Sequence, residues 1–365
     1  MNRKERRTYV SRSSDSYDTL FDRGVAFMTA SRWLEAETAL RTALVRKRTS
    51  AALHNLGSVL VALGRLDEAI QTFRQALRLA PDSQRTHNSL VKPMYELGRL
   101  NEAIHHGTRA LELKDQEAAI EFPRYEPFLR VKPALTPTKD LISFCLWGGD
   151  RLYTTGALQN VALSDRLYPG WICRYYLDDT VPIEIRNALT DRGAEIVAMP
   201  RPPEGRRYDA LFWRFLAADD PAVRRVLFRD CDSLLNERER DAVDAWTSSN
   251  RTAHLMRDHA LHCELILAGM WGALAPGLPL LGEAIQHWQA ANQHPLNARV
   301  QDQIFLRHVV WPIVRADHLA HDSTYRVVGS EPFPTADGPC LGVRDAVASA
   351  EIGCPELPAG SLVLR

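Results

Sequence analysis

Lysine is absent from the chain beyond Lys139, so arginine carries every fixed positive side-chain charge from there on. There is no C-x-x-C pair either: Cys145, Cys173, Cys231, Cys263, Cys340 and Cys354 are scattered, which encodes neither a disulfide framework nor a zinc ribbon and leads us to expect reduced thiols. Net charge is missing too. Lys+Arg and Asp+Glu are each 45, so no global field argues for nucleic acid as a partner. No apolar run approaches the length of a membrane span, and the opening Met1-Asn2-Arg3-Lys4-Glu5-Arg6-Arg7 lacks the apolar segment of a secretory signal, so a cytoplasmic protein without a membrane span is expected. What remains is a 365-residue chain, 45% hydrophobic, long enough for two domains.

The first third is repetitive. Residues 1–16 are polar and basic and are expected to form a disordered arm. From Tyr17, Gly24, Trp33-Leu34-Glu35-Ala36 and Ala43-Leu44 return as Gly57, Leu66-Asp67-Glu68-Ala69 and Ala76-Leu77 at an offset of 33. Leu63-Gly64-Arg65-Leu66-Asp67-Glu68-Ala69 returns as Leu97-Gly98-Arg99-Leu100-Asn101-Glu102-Ala103 at an offset of 34. Three helix-turn-helix units over 17–113 are predicted, with small residues letting paired helices approach. This pattern resembles the tetratricopeptide repeat family, which implies an all-α solenoid that binds a protein partner. The third unit departs from it, with Val91 in the small position and Pro93 inside a helix that it is expected to kink.

Pro123, Pro127, Pro133 and Pro137 mark residues 114–139 as a Pro-rich linker. Beyond it, Leu141–Trp147, Trp171–Leu177 and Ala194–Met199 read as strands separated by helices, and an apolar helix over Ala210–Ala218 leads into the run Val226-Leu227-Phe228. Strand and helix alternate, so an α/β domain with a mostly parallel, nucleotide-binding type of sheet is predicted over 140–329. The Pro-containing stretch 330–365 is expected to be an irregular tail.

The fourth strand ends in Arg229-Asp230-Cys231-Asp232-Ser233. In an extended chain Asp230 and Asp232 project to one side and Arg229 and Cys231 to the other. Two acids together suit Mg²⁺ or Mn²⁺, a hard cation that completes its shell with water and substrate phosphates. Open α/β sheets bind ligands beyond the carboxyl ends of their strands, where this pair falls. Strand, helix, strand order followed by an apolar run ending in Asp-x-Asp resembles the nucleotide-sugar glycosyltransferases of the GT-A fold. That resemblance implies transfer from a nucleoside diphosphate sugar to a glycan or protein acceptor, with Mn²⁺ or Mg²⁺ held by Asp230 and Asp232 and with His321 as third ligand. It also implies that Gly269, in Leu265–Gly272, lets backbone approach the sugar, and that Asp302-Gln303 faces the reacting sugar; Leu267 stands where such segments often carry Asn.

Arg214, alone in an apolar helix, needs a partner, either a diphosphate, the acids or an ordinary ion pair. The polar cluster His254, Arg257-Asp258-His259 and His262-Cys263-Glu264 lacks zinc spacing, but offers Asp258 as a base toward an acceptor hydroxyl, with Asp302 its rival. A haloacid-dehalogenase-type phosphatase would use Asp230 as nucleophile, but it needs a downstream lysine that the chain lacks. A repeat scaffold without chemistry is the alternative from another class.

Overall fold

A computed structural model describes residues 15–132, 136–292, 298–325, 327 and 329–335. Most of the arm and of the C-terminal tail, with Cys340 and Cys354, lies outside the described residues. The chain divides into two units, residues 1–113 and 114–365.

Among its described residues the first unit is built of helices: α1 (Tyr17–Thr29), α2 (Trp33–Arg46), α3 (Ser50–Ala62), α4 (Leu66–Leu79), α5 (Gln84–Glu96) and the start of α6 (Leu100–Glu121). The first helix of each pair begins alike. Ser16, Thr49 and Ser83 accept hydrogen bonds from the backbone N–H groups of Thr19, Ala52 and Thr86, satisfying donors that a helix start leaves open. Each pair turns through a left-handed residue, Ser31 (φ 56°), Gly64 (φ 75°) and Gly98 (φ 71°), so the first repeat places serine where the others use glycine. Matched Arg–Glu pairs, Arg32–Glu35, Arg65–Glu68 and Arg99–Glu102, follow these turns. The small residues have a steric reason. A Cβ on Gly24 would lie 2.8 Å from Leu40, and one on Gly57 2.5 Å from the Phe73 ring. Helix α5 continues through Pro93 to Glu96. Because Phe73 is fully buried and cannot swing aside, Gly57→Ala should overpack the α3–α4 contact and destabilise the first unit by about 1–3 kcal/mol, read as a lower urea midpoint.

Residues 114–121, which the proline spacing places in a linker, are helical. Pro123 and Pro127 each sit in the first positions of a short 3-10 turn, Phe122–Arg124 and Glu126–Phe128, where a missing N–H costs nothing. Within the second unit Lys114 pairs with Glu264 (2.7 Å), Arg307 with Glu117 (3.0 Å) and Arg315 with Asp115 (2.7 Å). Lys132 donates to the carbonyls of Ala218 and Ala275, both at 2.6 Å. The prolines therefore shape turns held against this unit.

The second unit is a mixed α/β domain built on a seven-stranded sheet, β1 (Lys139–Leu146), β2 (Ile172–Leu177), β3 (Glu195–Ala198), β4 (Val223–Arg229), β5 (Ala253–Arg257), β6 (Met270–Leu274) and β7 (His318–Asp322), in the order β3-β2-β1-β4-β6-β5-β7. β6 runs antiparallel to both neighbours and every other pairing is parallel. Helices α7 (Arg151–Leu167), α8 (Ile183–Asp191), α9 (Glu237–Ser249) and α10 (Leu281–Ala291) flank it. Alternation divides β1: Ile142, Phe144 and Leu146 join Ala157 and Val161 of α7 in one core, while Ser143 on the other face donates to the Arg214 carbonyl (2.7 Å).

Two helical expectations change. Ala210–Ala218, expected as an apolar helix, lies within a 3-10 segment, Arg207–Asp219; Phe215 packs edge-on to Phe228 of β4 with ring centroids 5.3 Å apart, so tertiary packing outweighs helix period. Over Arg299–Val309, where the sequence predicts a helix that ends before Pro312, the chain instead passes from α11 (Gln301–Phe305) through a π-turn (Leu306–Val310) into α12 (Trp311–Val314), where the wider turn accommodates the proline. At the far edge Glu331 bridges to His321, its N–H donating to the Ala320 carbonyl (2.8 Å), so the start of the tail pairs with β7.

Candidate active site

β4 stops at Arg229, and Asp230–Ser233 is a turn closed by Ser233 N–H donating to the Asp230 carbonyl (3.3 Å). The strand alternation that placed both acids on one side therefore ends at Arg229, before either of them. The turn is clamped from α7. A Cβ on Gly156 would lie 2.0 Å from the Cys231 carbonyl, and the fully buried Asn160 donates to the Ser233 carbonyl (3.0 Å) and accepts from Leu235 N–H (3.0 Å). Cys231 and Arg229 face away from the acids: Cys231 lies in the α7 core, and Arg229 donates to Glu239 (2.7 Å) and to the Trp271 carbonyl (2.8 Å).

The Asp230 carboxylate, 43% exposed, is seated on its inner side by Arg214 and Gly269. Arg214, brought down by the 3-10 segment, is buried and divides its guanidinium between Asp230 and Asp302, the latter at 2.7 Å. Of the partners open to Arg214 from sequence, the structure selects the acids. A Cβ on Gly269 would lie 2.0 Å from Asp230 Oδ2, so what glycine admits here is a carboxylate of the same chain. Asp302, on α11, is almost wholly buried, and burial raises its carboxyl to about 6, further raised by Asp230 and opposed by Arg214. Its Oδ1 accepts from Gln303 N–H (2.9 Å). Gln303 itself is half-buried beside it.

Tyr153, in the first turn of α7, is a member of the site that residue type alone did not flag. Burial raises its hydroxyl, as do the charges of Asp232, Asp150 and Asp230, with Arg299 opposing. Its position just after β1, at the carboxyl edge of a parallel sheet, was the available signal. A cationic pair borders the same edge: Arg207 and the Nε of Arg299 both donate to the Tyr208 hydroxyl at 2.7 Å, which lowers that phenol against its burial.

The structure does not bring His321 to these residues. It faces Met256 in the β5–β7 ladder, three strands from β4 and so on the order of 14 Å from it. Its Nδ1 lies 2.8 Å from His254 Nε2, and burial lowers its imidazole to about 4. The chain after β7 turns back through Asp322, whose Oδ1 accepts from Thr324 and Tyr325 N–H, and this keeps His321 in the core rather than at the edge. Among the described residues no group of three His, Cys, Asp or Glu could hold a metal alone. Asp230 and Asp232 still fit a hard cation that takes most of its shell from water and substrate, since a carboxylate oxygen bound to Arg214 retains a second lone pair. Asp258 lies just past β5, its buried carboxylate 3.0 Å from His262 Nδ1.

The tetratricopeptide repeat family model matches residues 21–84. No curated protein matches the chain. Among solved structures, the tetratricopeptide repeat protein YrrB, described as having an unusual peptide-binding site, is similar at 18% identity and a TM-score of 0.26, over 31% of this chain and 58% of that one. An O-GlcNAc transferase mutant of Thermobaculum terrenum is similar at 16% identity and a TM-score of 0.30, over 58% of this chain and 45% of that one. The chain thus spans less than two thirds of either. No helix among the described residues is long and apolar enough to cross a membrane.

Proposed function

We propose that the second unit is a GT-A-type glycosyltransferase that moves a sugar from a nucleoside diphosphate sugar to a glycan or protein acceptor, and that the repeats bind a protein partner or that acceptor. The observation that carries this reading is the acid turn at the end of β4: a half-exposed Asp230 fixed by buried Arg214 and by a glycine that nothing larger can replace, with Asp232 two residues on. Such a turn, at the ligand edge of a mixed α/β sheet, suits a metal-bound diphosphate.

Asp230 and Asp232 would hold Mn²⁺ or Mg²⁺, which when bound offsets charge on the departing diphosphate. Arg214 keeps Asp230 in place, and Gly156 and Asn160 fix the turn that presents Asp232. Arg207 and Arg299, exposed on the same edge, are suited to diphosphate oxygens, which two guanidinium forks bind well. The lack of lysine beyond Lys139 disfavours the phosphatase alternative.

A thermal-shift panel of nucleoside diphosphate sugars with and without Mn²⁺ tests this, because a ligand selective for the folded state raises its melting temperature. One donor is expected to stabilise the protein by several degrees only when Mn²⁺ is present. Metal-independent stabilisation, or none from a broad panel, would refute the assignment.

A further inference from the structure

Asp230 is seated by two elements, Gly269 at the start of β6 and Arg214, which Asp302 of α11 holds by its second guanidinium nitrogen. Both elements lead to one ionic cluster. Gly269 closes the loop that carries Glu264, and α11 runs directly into the π-turn that carries Arg307. Arg307 Nη2 donates to both carboxylate oxygens of Glu264 (2.8 and 2.9 Å), so the two seats of Asp230 are tied to each other.

The tie is anchored by the end of α6. Lys114 and Glu117, three residues apart, share one face of that helix. Lys114 has no exposed surface; its ammonium donates to Glu264 Oε1 (2.7 Å) and to the Cys263 carbonyl, while Glu117 accepts from Arg307 Nη1 (3.0 Å). Cation and carboxylate therefore alternate in the order Lys114, Glu264, Arg307, Glu117, with matched charge. Burying such charges loses solvation that apolar side chains would not lose, so added stability is a poor account of the cluster. What its directed hydrogen bonds supply is a fixed geometry. All of this begins ahead of the 140–329 domain that the sequence marks out.

We propose that Lys114 is a positioning residue for the metal-binding acid turn: by fixing Glu264, and Arg307 through it, it sets the placement of the Gly269 loop and of α11 around Asp230. This rests on the glycosyl-transfer reading above. Gly269 lies against the Asp230 carboxylate with no room for a methyl group, so a displaced loop displaces the carboxylate. Without Lys114, Glu264 keeps only its Arg307 partner among these contacts and the Cys263 carbonyl loses this donor. The loop is then less firmly held, and Asp230 presents its oxygens to a cation less well. No bond or proton changes hands in this role.

The test uses the full chain and whichever nucleoside diphosphate sugar of the panel raises its melting temperature, with Mn²⁺ titrated at a fixed donor concentration. Lys114→Met is expected to raise the Mn²⁺ concentration at which the shift sets in by about 10-fold or more. Half-maximal nucleoside diphosphate release should need correspondingly more Mn²⁺, and excess Mn²⁺ should restore part of the turnover. A merely structural role would lower the melting temperature of the metal-free variant and leave the Mn²⁺ requirement unmoved, because linkage reads the affinity of the folded state. That result overturns the proposal. Glu117→Gln keeps the shape of a half-buried side chain and weakens only its bond to Arg307, so it should raise the Mn²⁺ requirement by a smaller factor. If Lys114→Met does not fold, Glu117→Gln decides, and an unmoved requirement there overturns the proposal as well. A wild-type protein with no Mn²⁺-dependent shift for any donor overturns the transfer reading beneath it instead.

Discussion

Asp232→Ala is expected to lower turnover of the stabilising donor by more than about 100-fold while leaving the urea midpoint within experimental error of the wild type. The expected insensitivity of the fold follows from where the residue sits. Asp232 is half-buried in a turn already fixed from behind by Gly156 and by both the Nδ2 and the Oδ1 of the Asn160 side-chain amide, so none of those clamps depends on its carboxylate. The loss of activity follows from chemistry. A cation left with Asp230 alone has one protein ligand, binds more weakly and neutralises less of the leaving diphosphate. The variant should therefore also lose the Mn²⁺-dependent part of the donor thermal shift. Wild-type turnover in Asp232→Ala, measured as nucleoside diphosphate release, would remove this residue from the site.

The repeat unit was legible in the sequence because its restraints are local and periodic. Caps at Ser16, Thr49 and Ser83, turns at Ser31, Gly64 and Gly98, and close approaches at Gly24 and Gly57 all recur at the offsets read from the chain. The α/β order of the second unit was legible for a similar reason, since apolar runs separated by helical patterns leave few sheets to choose from. What could not be read is set by contacts distant in sequence. Arg214 meets Asp302 across 88 residues, and no local pattern announces that pairing. His321 carries a plausible ligand side chain, but only the strand order β4-β6-β5-β7 reveals that three strand spacings separate it from the acids. The acid turn itself misled in one respect. Period-two reasoning holds while a chain is extended, and β4 ends one residue before Asp230. Asn160 and Tyr153 were not flagged by residue type, since both lie on α7, a helix whose own pattern is ordinary.

Arg214→Met should be the most damaging single substitution for the fold of the second unit. Arg214 is 2% exposed in its side chain and serves two carboxylates, one of them, Asp302, only 4% exposed. Removing one partner of such a buried group leaves charge without compensation and costs about 3–5 kcal/mol. The penalty has a definite pH dependence. Burial already raises Asp302 from 3.8 to about 6 in the folded wild type even with Arg214 beside it, and Arg214 is what holds it down. A carboxyl raised on folding binds its proton more tightly in the native state, so its contribution is fully present below the unfolded value near 4 and is lost as pH rises through the folded value. Without the guanidinium the folded value moves higher still, and the variant is spared at pH 5 but penalised increasingly toward pH 8. Urea unfolding of both proteins at these two pH values measures the difference, which should widen with pH. Adding Asp302→Asn removes the titrating charge, so the double variant should recover part of the stability and lose most of the pH dependence. A single variant whose deficit is the same at pH 5 and pH 8 would mean that Arg214 contributes packing there rather than charge.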